Sequence, residues 1–193
     1  MDRYPDSILR SLSDLCHATD SPADGSTTGV AADFNCGASV TVSLAIDASA
    51  NRIDEVAFKS SACGYALAFA EHVAGFMEGR TPAELGGGWQ VHCYEAFISE
   101  VGPVESVRMP CLAMVADAFG EALRAYRLTT VSKFEGESPL ICSCFGVSED
   151  VLQKILDEGG ASTVSELTQM TNAGSGCGSC LMVLSDLVEI HGS

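Results

Sequence analysis

The chain reads as an α+β N-terminal domain, a small antiparallel sheet packed by helices, followed by a small all-α C-terminal domain. Three observations carry this reading. Val40, Val42, Leu44 and Ile46 alternate with Ser39, Thr41, Ser43 and Ala45, the period of two that marks a half-buried strand. From Gly64, and again from Cys111, apolar residues recur at spacings of three and four, the period of a helix packed on one face. A polar, Pro-terminated run over residues 130–139 then reads as a joint, with short helical segments beyond it. The expected domains are residues 1–131 and 140–193, with 132–139 as the linker.

Taken in order, Ser7 to Leu15 reads as a short helix and Thr19 to Gly29 as a polar loop. The strand through Val40 to Ile46 follows, Asp47 to Asn51 supplies turn residues, and Arg52 to Phe58 returns as the second strand of a hairpin. Ala66, Ala70, Val73 and Met77 share a face of the helix from Gly64 to Glu78, and Gly79 is placed to end it. Thr81-Pro82 reads as the start of another short helix, Gly86 to Gly88 as a break, and the residues up to Gly102 fit no single pattern. Leu112, Val115, Phe119, Leu123 and Tyr126 form the apolar side of a long helix from Cys111 to Tyr126. Pro110 suits its first turn, where a missing N–H costs nothing. Beyond the linker, Ser148 is a helix cap with Glu149 and Asp150 behind it, Thr163 with Glu166 makes a capping-box pattern, and a third helix runs from Cys180 to Ile190. So short a segment builds little core, and a metal cluster would stabilise it.

Composition narrows the function. Net charge is −16, which repels phosphate backbones and anionic lipid and excludes nucleic-acid and membrane-surface roles. No apolar run reaches the roughly 18 residues of a membrane span. The N-terminus lacks the basic and then apolar pattern of a secretory signal, so a cytoplasmic location is expected. The nine cysteines are an odd count, and in a reducing compartment clustered thiols are metal ligands or redox groups rather than disulfides. No phosphate-binding glycine loop, zinc-protease motif or nucleophile elbow is present, so the chain is not expected to be an enzyme.

Cys142-Ser-Cys144 and Cys177-Gly-Ser-Cys180 place four thiols in two close pairs, a donor set for two sulfide-bridged irons or for one zinc. Gly174, Gly176 and Gly178 let backbone N–H groups approach a cluster closely, and Cys180 opens a helix, whose dipole favours a thiolate. The segments Ile141-Cys-Ser-Cys-Phe-Gly-Val-Ser-Glu-Asp-Val and Thr171-Asn-Ala-Gly-Ser-Gly-Cys-Gly-Ser-Cys resemble the bacterioferritin-associated ferredoxin type of domain. The resemblance covers about residues 140–190 and implies a small helical fold with a permanent [2Fe–2S] cluster on Cys142, Cys144, Cys177 and Cys180.

Cys36 follows a loop, while Cys63 and Cys111 begin helices, where helix termini lower a thiol pKa. By themselves three scattered cysteines are more often buried core residues than ligands. The segments Asn35-Cys-Gly-Ala, Phe58-Lys-Ser-Ser-Ala-Cys-Gly-Tyr and Arg108-Met-Pro-Cys-Leu-Ala-Met, with Met77-Glu-Gly-Arg-Thr-Pro between, resemble the NifU/IscU-type iron–sulfur scaffold. That resemblance implies that Cys36, Cys63 and Cys111 receive iron and sulfide, hold a transient cluster or zinc, and pass cluster on. It also implies a cysteine desulfurase, apo iron–sulfur proteins and a ferredoxin reductase or other electron donor as partners, with a homodimer as a compatible assembly. A further C-terminal carrier domain, usual in full NifU, is not expected within residues 1–193. Two positions depart from the family pattern: Ala38 stands where an Asp is usual, and Pro110 where a His or Lys precedes the third cysteine. His92 and Cys93 are candidates to complete the N-terminal ligand set, and Cys16-His17 is a weaker one. Two other functions stay open. One is a [2Fe–2S] electron-transfer protein whose degenerate scaffold domain serves for docking, which Ala38 and Pro110 favour. The other is a zinc-bound sulfur-transfer accessory.

Overall fold

The computed structural model describes residues 4–21, 24–136 and 138–191. Met1 to Arg3, on which the reading of the N-terminus partly rests, lie outside them, as do Pro22 and Ala23 of the polar loop, Glu137 of the linker, and Gly192 and Ser193. The chain forms two compact units. The first comprises Met1–Asp47, Ile53–Arg80 and Gly88–Ala125, the second Ala48–Arg52, Thr81–Gly87 and Tyr126–Ser193.

The first unit is built on a sheet of order β1-β2-β3, with β1 at Thr27–Asp33, β2 at Ala38–Asp47 and β3 at Arg52–Ser60. β2 is central, and its alternation buries Val40, Val42 and Leu44. β1 is an addition to the sequence reading. Its Thr-Thr-Gly-Val-Ala-Ala-Asp carries too little apolar bulk to show a period, yet it pairs antiparallel with β2 from Thr27↔Leu44 to Asp33↔Ala38. The other edge is partly covered by residues 17–19, since Phe58 N–H donates to His17 O (2.9 Å) and Thr19 N–H to Phe58 O (3.0 Å).

Four helices accompany the sheet: α1 (Asp6–Ser13), α2 (Gly64–Met77), α3 (Trp89–Val101) and α4 (Met109–Ser132). On α2 the anticipated stripe of Ala66, Ala70, Val73 and Met77 is fully buried, and Gly79, at φ +78, takes the left-handed conformation just past the helix. α3 occupies the stretch that fitted no pattern. Trp89, Cys93 and Phe97 recur every fourth residue on its buried face, and Gly88 and Gly102, both at positive φ, mark its ends. Phe69 of α2 stacks on Tyr94 of α3, with ring centroids 4.9 Å apart. Thr81-Pro82 opens only a turn, closed by Glu84 Oε2 accepting from Thr81 N–H (2.7 Å) and Thr81 Oγ1 accepting from Glu84 N–H. α4 runs past Tyr126 into the run read as a joint. Thr130 Oγ1 donates to Tyr126 O and Ser132 Oγ to Thr129 O, so these hydroxyls turn back onto the helix instead of breaking it.

In the second unit, β4 (Leu140–Cys142) and β5 (Val147–Ser148) form a two-stranded antiparallel ladder, followed by α5 (Glu149–Asp157), α6 (Val164–Thr171) and α7 (Leu181–His191). The helices match the expectation, and the short ladder adds to it. Thr163 and Glu166 make both bonds of the capping box. Ser148 occupies the cap position of α5 without a side-chain bond. Ser138 Oγ accepts from Asp150 N–H in its place, at 3.2 Å. The core of this unit is small and includes Cys142 and Cys180 beside Phe145, Leu152, Leu167 and Leu184.

Candidate functional site

The thiols of the first unit come from three separate elements. Cys36 lies in the tight turn between β1 and β2, which Gly37 closes by donating its N–H to Asp33 O (2.8 Å) at φ +72, a conformation glycine adopts without strain. Cys63 is the cap residue of α2, and Cys111 is in the first turn of α4, one residue after Pro110. The Cys111 thiol is pushed up to about 11, by burial first, then by a hydrogen bond to Cys63 and by the neighbouring Cys63 and Cys36, with the Arg108 guanidinium opposing. Cys63 and Cys36 therefore both act on the Cys111 thiol in the fold. The upward shift corrects the expectation drawn from the helix terminus, because loss of solvent and the facing thiols outweigh the dipole.

Asp33 is a residue that the sequence reading passed over. It pairs across the strands with Ala38, the position where the family pattern carries a carboxylate, and the Cys36 sulfur lies 4.0 Å from its carbonyl. The Asn35 N–H, at 2.8 Å from Oδ1, holds the Asp33 carboxyl below its ordinary value, and Cys36 adds to that. The only linear signal was an acid three residues before a cysteine; the cross-strand register is a tertiary fact.

The remaining candidates separate. Cys93 is wholly buried on the core face of α3, where burial pushes its thiol up to about 11 against the Arg80 guanidinium. His92, one position earlier, is exposed. His17 Nδ1 meets Glu71 Oε1 at 2.6 Å and its Nε2 meets Glu78 Oε2 at 3.4 Å, so the ring is held by two carboxylates, while Cys16 is exposed.

The second unit arranges its thiols as two cross-motif pairs. Cys142 and Cys180 are the inner pair, 2% and 6% exposed, and burial together with Cys142 pushes the Cys180 thiol up to about 11, again against the helix-terminus expectation. Cys144 and Cys177 are the outer pair. The Cys177 N–H donates to the Cys144 sulfur at 3.5 Å and opposes a net upward shift, which burial and the adjacent Cys177 and Cys142 thiols impose on Cys144. Cys177 is exposed and its thiol is lowered to about 7, chiefly by the Ser179 hydroxyl 2.9 Å away. Gly176 is required here. A Cβ on it would lie 2.7 Å from both the Cβ and the sulfur of Cys144. Among the described residues no three Cys, His, Asp or Glu side chains converge as a closed cage for a single metal ion. The geometry is one of paired thiols facing each other, and such pairs suit a cluster that spreads its ligands over two irons.

Residues 4–133 match the family model described as NifU-like N terminal domain, and residues 140–189 the one described as BFD-like [2Fe-2S] binding domain. A protein of Trichormus azollae called Nitrogen fixation protein NifU is 26% identical over 165 residues, which is 84% of this chain and 53% of that protein. A protein of the same name from Leptolyngbya boryana is 38% identical over 89 residues, 46% of this chain and 43% of its own. Among solved structures, the N-terminal part of a nitrogen-fixing NifU-like protein from Brucella abortus aligns with a TM-score of 0.49 at 18% identity, over 63% of this chain and 92% of that one. The chain spans about half the length of the curated relatives it matches. It belongs to the NifU-like N-terminal domain family, and carries that domain ahead of a BFD-like [2Fe–2S]-binding domain.

Proposed function

We propose that the chain builds or holds an iron–sulfur cluster on Cys36, Cys63 and Cys111 for delivery to other proteins, and keeps a resident [2Fe–2S] cluster on Cys142, Cys144, Cys177 and Cys180. The observation that supports the scaffold reading is that the Cys111 thiol, at the start of α4, hydrogen-bonds to Cys63 of the α2 cap and feels Cys36 of the β1–β2 turn, though among the described residues the three do not form a metal-holding group. A thiol whose proton is held up to about 11 must release it when iron binds, so loading is favoured by rising pH and opposed by acid. Asp33 is our candidate for the carboxylate that Ala38 lacks, since it stands across the strand pair from that position. The cluster on this site is cargo. A cysteine desulfurase is the expected source of sulfur, apo iron–sulfur proteins are the expected recipients, and no turnover of a small substrate is involved.

The residues of the second unit fit a resident cluster. Four thiols are the right donor set, the inner pair keeps one side out of water, and the missing Cβ of Gly176 leaves room beside Cys144. When bound, such a cluster supplies one electron at a time, received from a reductase or other electron donor. Cys142 and Cys180 would hold the cluster from the buried side. Cys177 is exposed and marks the side from which a redox partner reaches the cluster.

The electron-carrier reading keeps one specific observation, that Pro110 brings no titratable group to the entrance of α4. Iron and acid-labile sulfide per chain decide between the readings. On anaerobic purification we expect about two irons per chain, lost in the Cys142→Ser/Cys177→Ser variant. Supply of iron and sulfide should add more iron, which Cys36→Ser, Cys63→Ser and Cys111→Ser abolish and an apo-ferredoxin removes. Absence of that second portion favours the electron carrier, and zinc in place of iron at both sites sinks the proposal.

A further inference from the structure

We infer that Asn51 is a positioning residue for the loop that carries Cys177. The inference rests on the reading of Cys142, Cys144, Cys177 and Cys180 as cluster ligands. It concerns the second compact unit, to which Ala48–Arg52 and Thr81–Gly87 belong with Tyr126–Ser193.

Among the described residues only two that are not glycine have a positive φ, Asn51 at 50° and Asn172 at 61°. Asparagine tolerates the left-handed region better than most residues, so both positions are chemically suited to it. Asn51 ends the turn after β2, and Asn172 is the C-cap of α6. Their side-chain amides pair with each other. Asn172 Nδ2 donates to Asn51 Oδ1 at 2.6 Å, and Asn51 Nδ2 donates to Asn172 Oδ1 at 3.2 Å and to Gln169 O at 2.9 Å. Asn172 is only 5% exposed, so removing its partner leaves a buried amide short of hydrogen bonds.

From Asn172 the contacts run directly to the ligand loop. Its carbonyl accepts from Ser175 N–H at 3.2 Å and from Ser175 Oγ at 2.7 Å. The Ser175 carbonyl lies against Gly86, where an added Cβ would stand 3.1 Å away. Gly176 then passes beside Cys144, and the Cys177 N–H reaches the Cys144 sulfur. The left-handed turn at residue 51 thus aims one amide at the residue that anchors the start of the ligand loop. Asn51 itself lies outside residues 140–189, the stretch matched by the [2Fe–2S]-binding family. Its effect on the ligands runs through Asn172 and Ser175.

The test uses the full chain with Asn51→Gly, Asn172→Gly and the double variant, because glycine keeps the positive φ and removes only the amide. Asn51→Asp, which keeps the shape and loses the Nδ2 donor, guards against an effect of backbone freedom alone. Two quantities are read: the rate at which an iron chelator bleaches the cluster absorbance under anaerobic conditions, and amide hydrogen exchange over residues 173–177 in the metal-free chain. Each single glycine variant is expected to bleach about fivefold faster, the factor that loss of one net hydrogen bond supplies, with faster exchange confined to the loop. Asn51→Asp should move in the same direction, and the double variant should bleach no faster than the singles. Parental bleaching in Asn51→Gly, or effects that multiply in the double variant, overturn the inference. A parent that holds no iron defeats the ligand reading instead. In that case unchanged exchange at 173–177 in Asn51→Gly still overturns the positioning role, and faster exchange supports it.

Discussion

Cys177 and Cys180 stand three positions apart and hold their protons very differently. Cys177 is exposed beside the Ser179 hydroxyl and is lowered to about 7, whereas burial and Cys142 push Cys180 up to about 11. In the reduced, metal-free chain this predicts selective chemistry. Since a lowered pKa populates the thiolate from near neutral pH upward, Cys177 should be the second-unit cysteine that iodoacetamide labels first at pH 7, with a rate that climbs from pH 6 to pH 8 and then levels. Ser179→Ala removes the hydroxyl that lowers this thiol most, so it moves back toward its ordinary value of 9.0. Labelling of Cys177 at pH 7, followed by peptide mass spectrometry, should then slow by about threefold or more. An unchanged rate would show that the hydroxyl does not set this thiol.

The elements are held by local devices whose strengths differ. Gly29 lies in β1 where α4 crosses it, and a methyl group there would collide with Ala118 O and Ala122 N. Backbone atoms cannot swing aside like side-chain tips. Gly29→Ala should therefore cost roughly 3 kcal/mol in chemical denaturation, near the top of the usual range for overpacking. The same close approach explains why β1 was hidden in the sequence, since the residues that let a helix approach are those that weaken an apolar period. Thr163 is a milder case. Its hydroxyl accepts from Glu166 N–H at 3.2 Å to start α6, and Thr163→Ala should remove about 1 kcal/mol, read as a lower thermal midpoint for the second unit. A loss spread over the whole chain's transition would mean that the two units unfold together.

At the scale of the whole molecule the dominant quantity is the net charge of −16. Among the described residues no helix is long and apolar enough to cross a membrane. Mixed with vesicles rich in phosphatidylserine at low ionic strength, the chain should stay in the supernatant after sedimentation, because like charges repel most strongly where salt screens least. Co-sedimentation under those conditions would reveal a local basic surface that the net charge conceals.

The β2–β3 hairpin, α2, the apolar face of α4 and the capping box at Thr163 were all legible in the sequence, because each depends on neighbours within a few turns of chain. So were the two close cysteine motifs of the second unit, whose spacing is itself the signal, although their cross-motif pairing was not. α3 was legible in principle from Trp89, Cys93 and Phe97 between two glycines, yet its glycine-rich entry masked the period. Other features depend on contacts far apart in sequence. The register that sets Asp33 opposite Ala38, the facing of Cys36, Cys63 and Cys111, and the pairing of Asn51 with Asn172 belong to that class. Thiol proton affinities belong there too. A helix start at Cys111 or Cys180 argues for a lowered pKa, and only the packed structure supplies the burial and the opposing thiols that reverse it. The sequence by itself determined which groups are available, through residue type and local period. The tertiary structure decided which of them meet, because burial and cross-strand register arise only when distant segments pack.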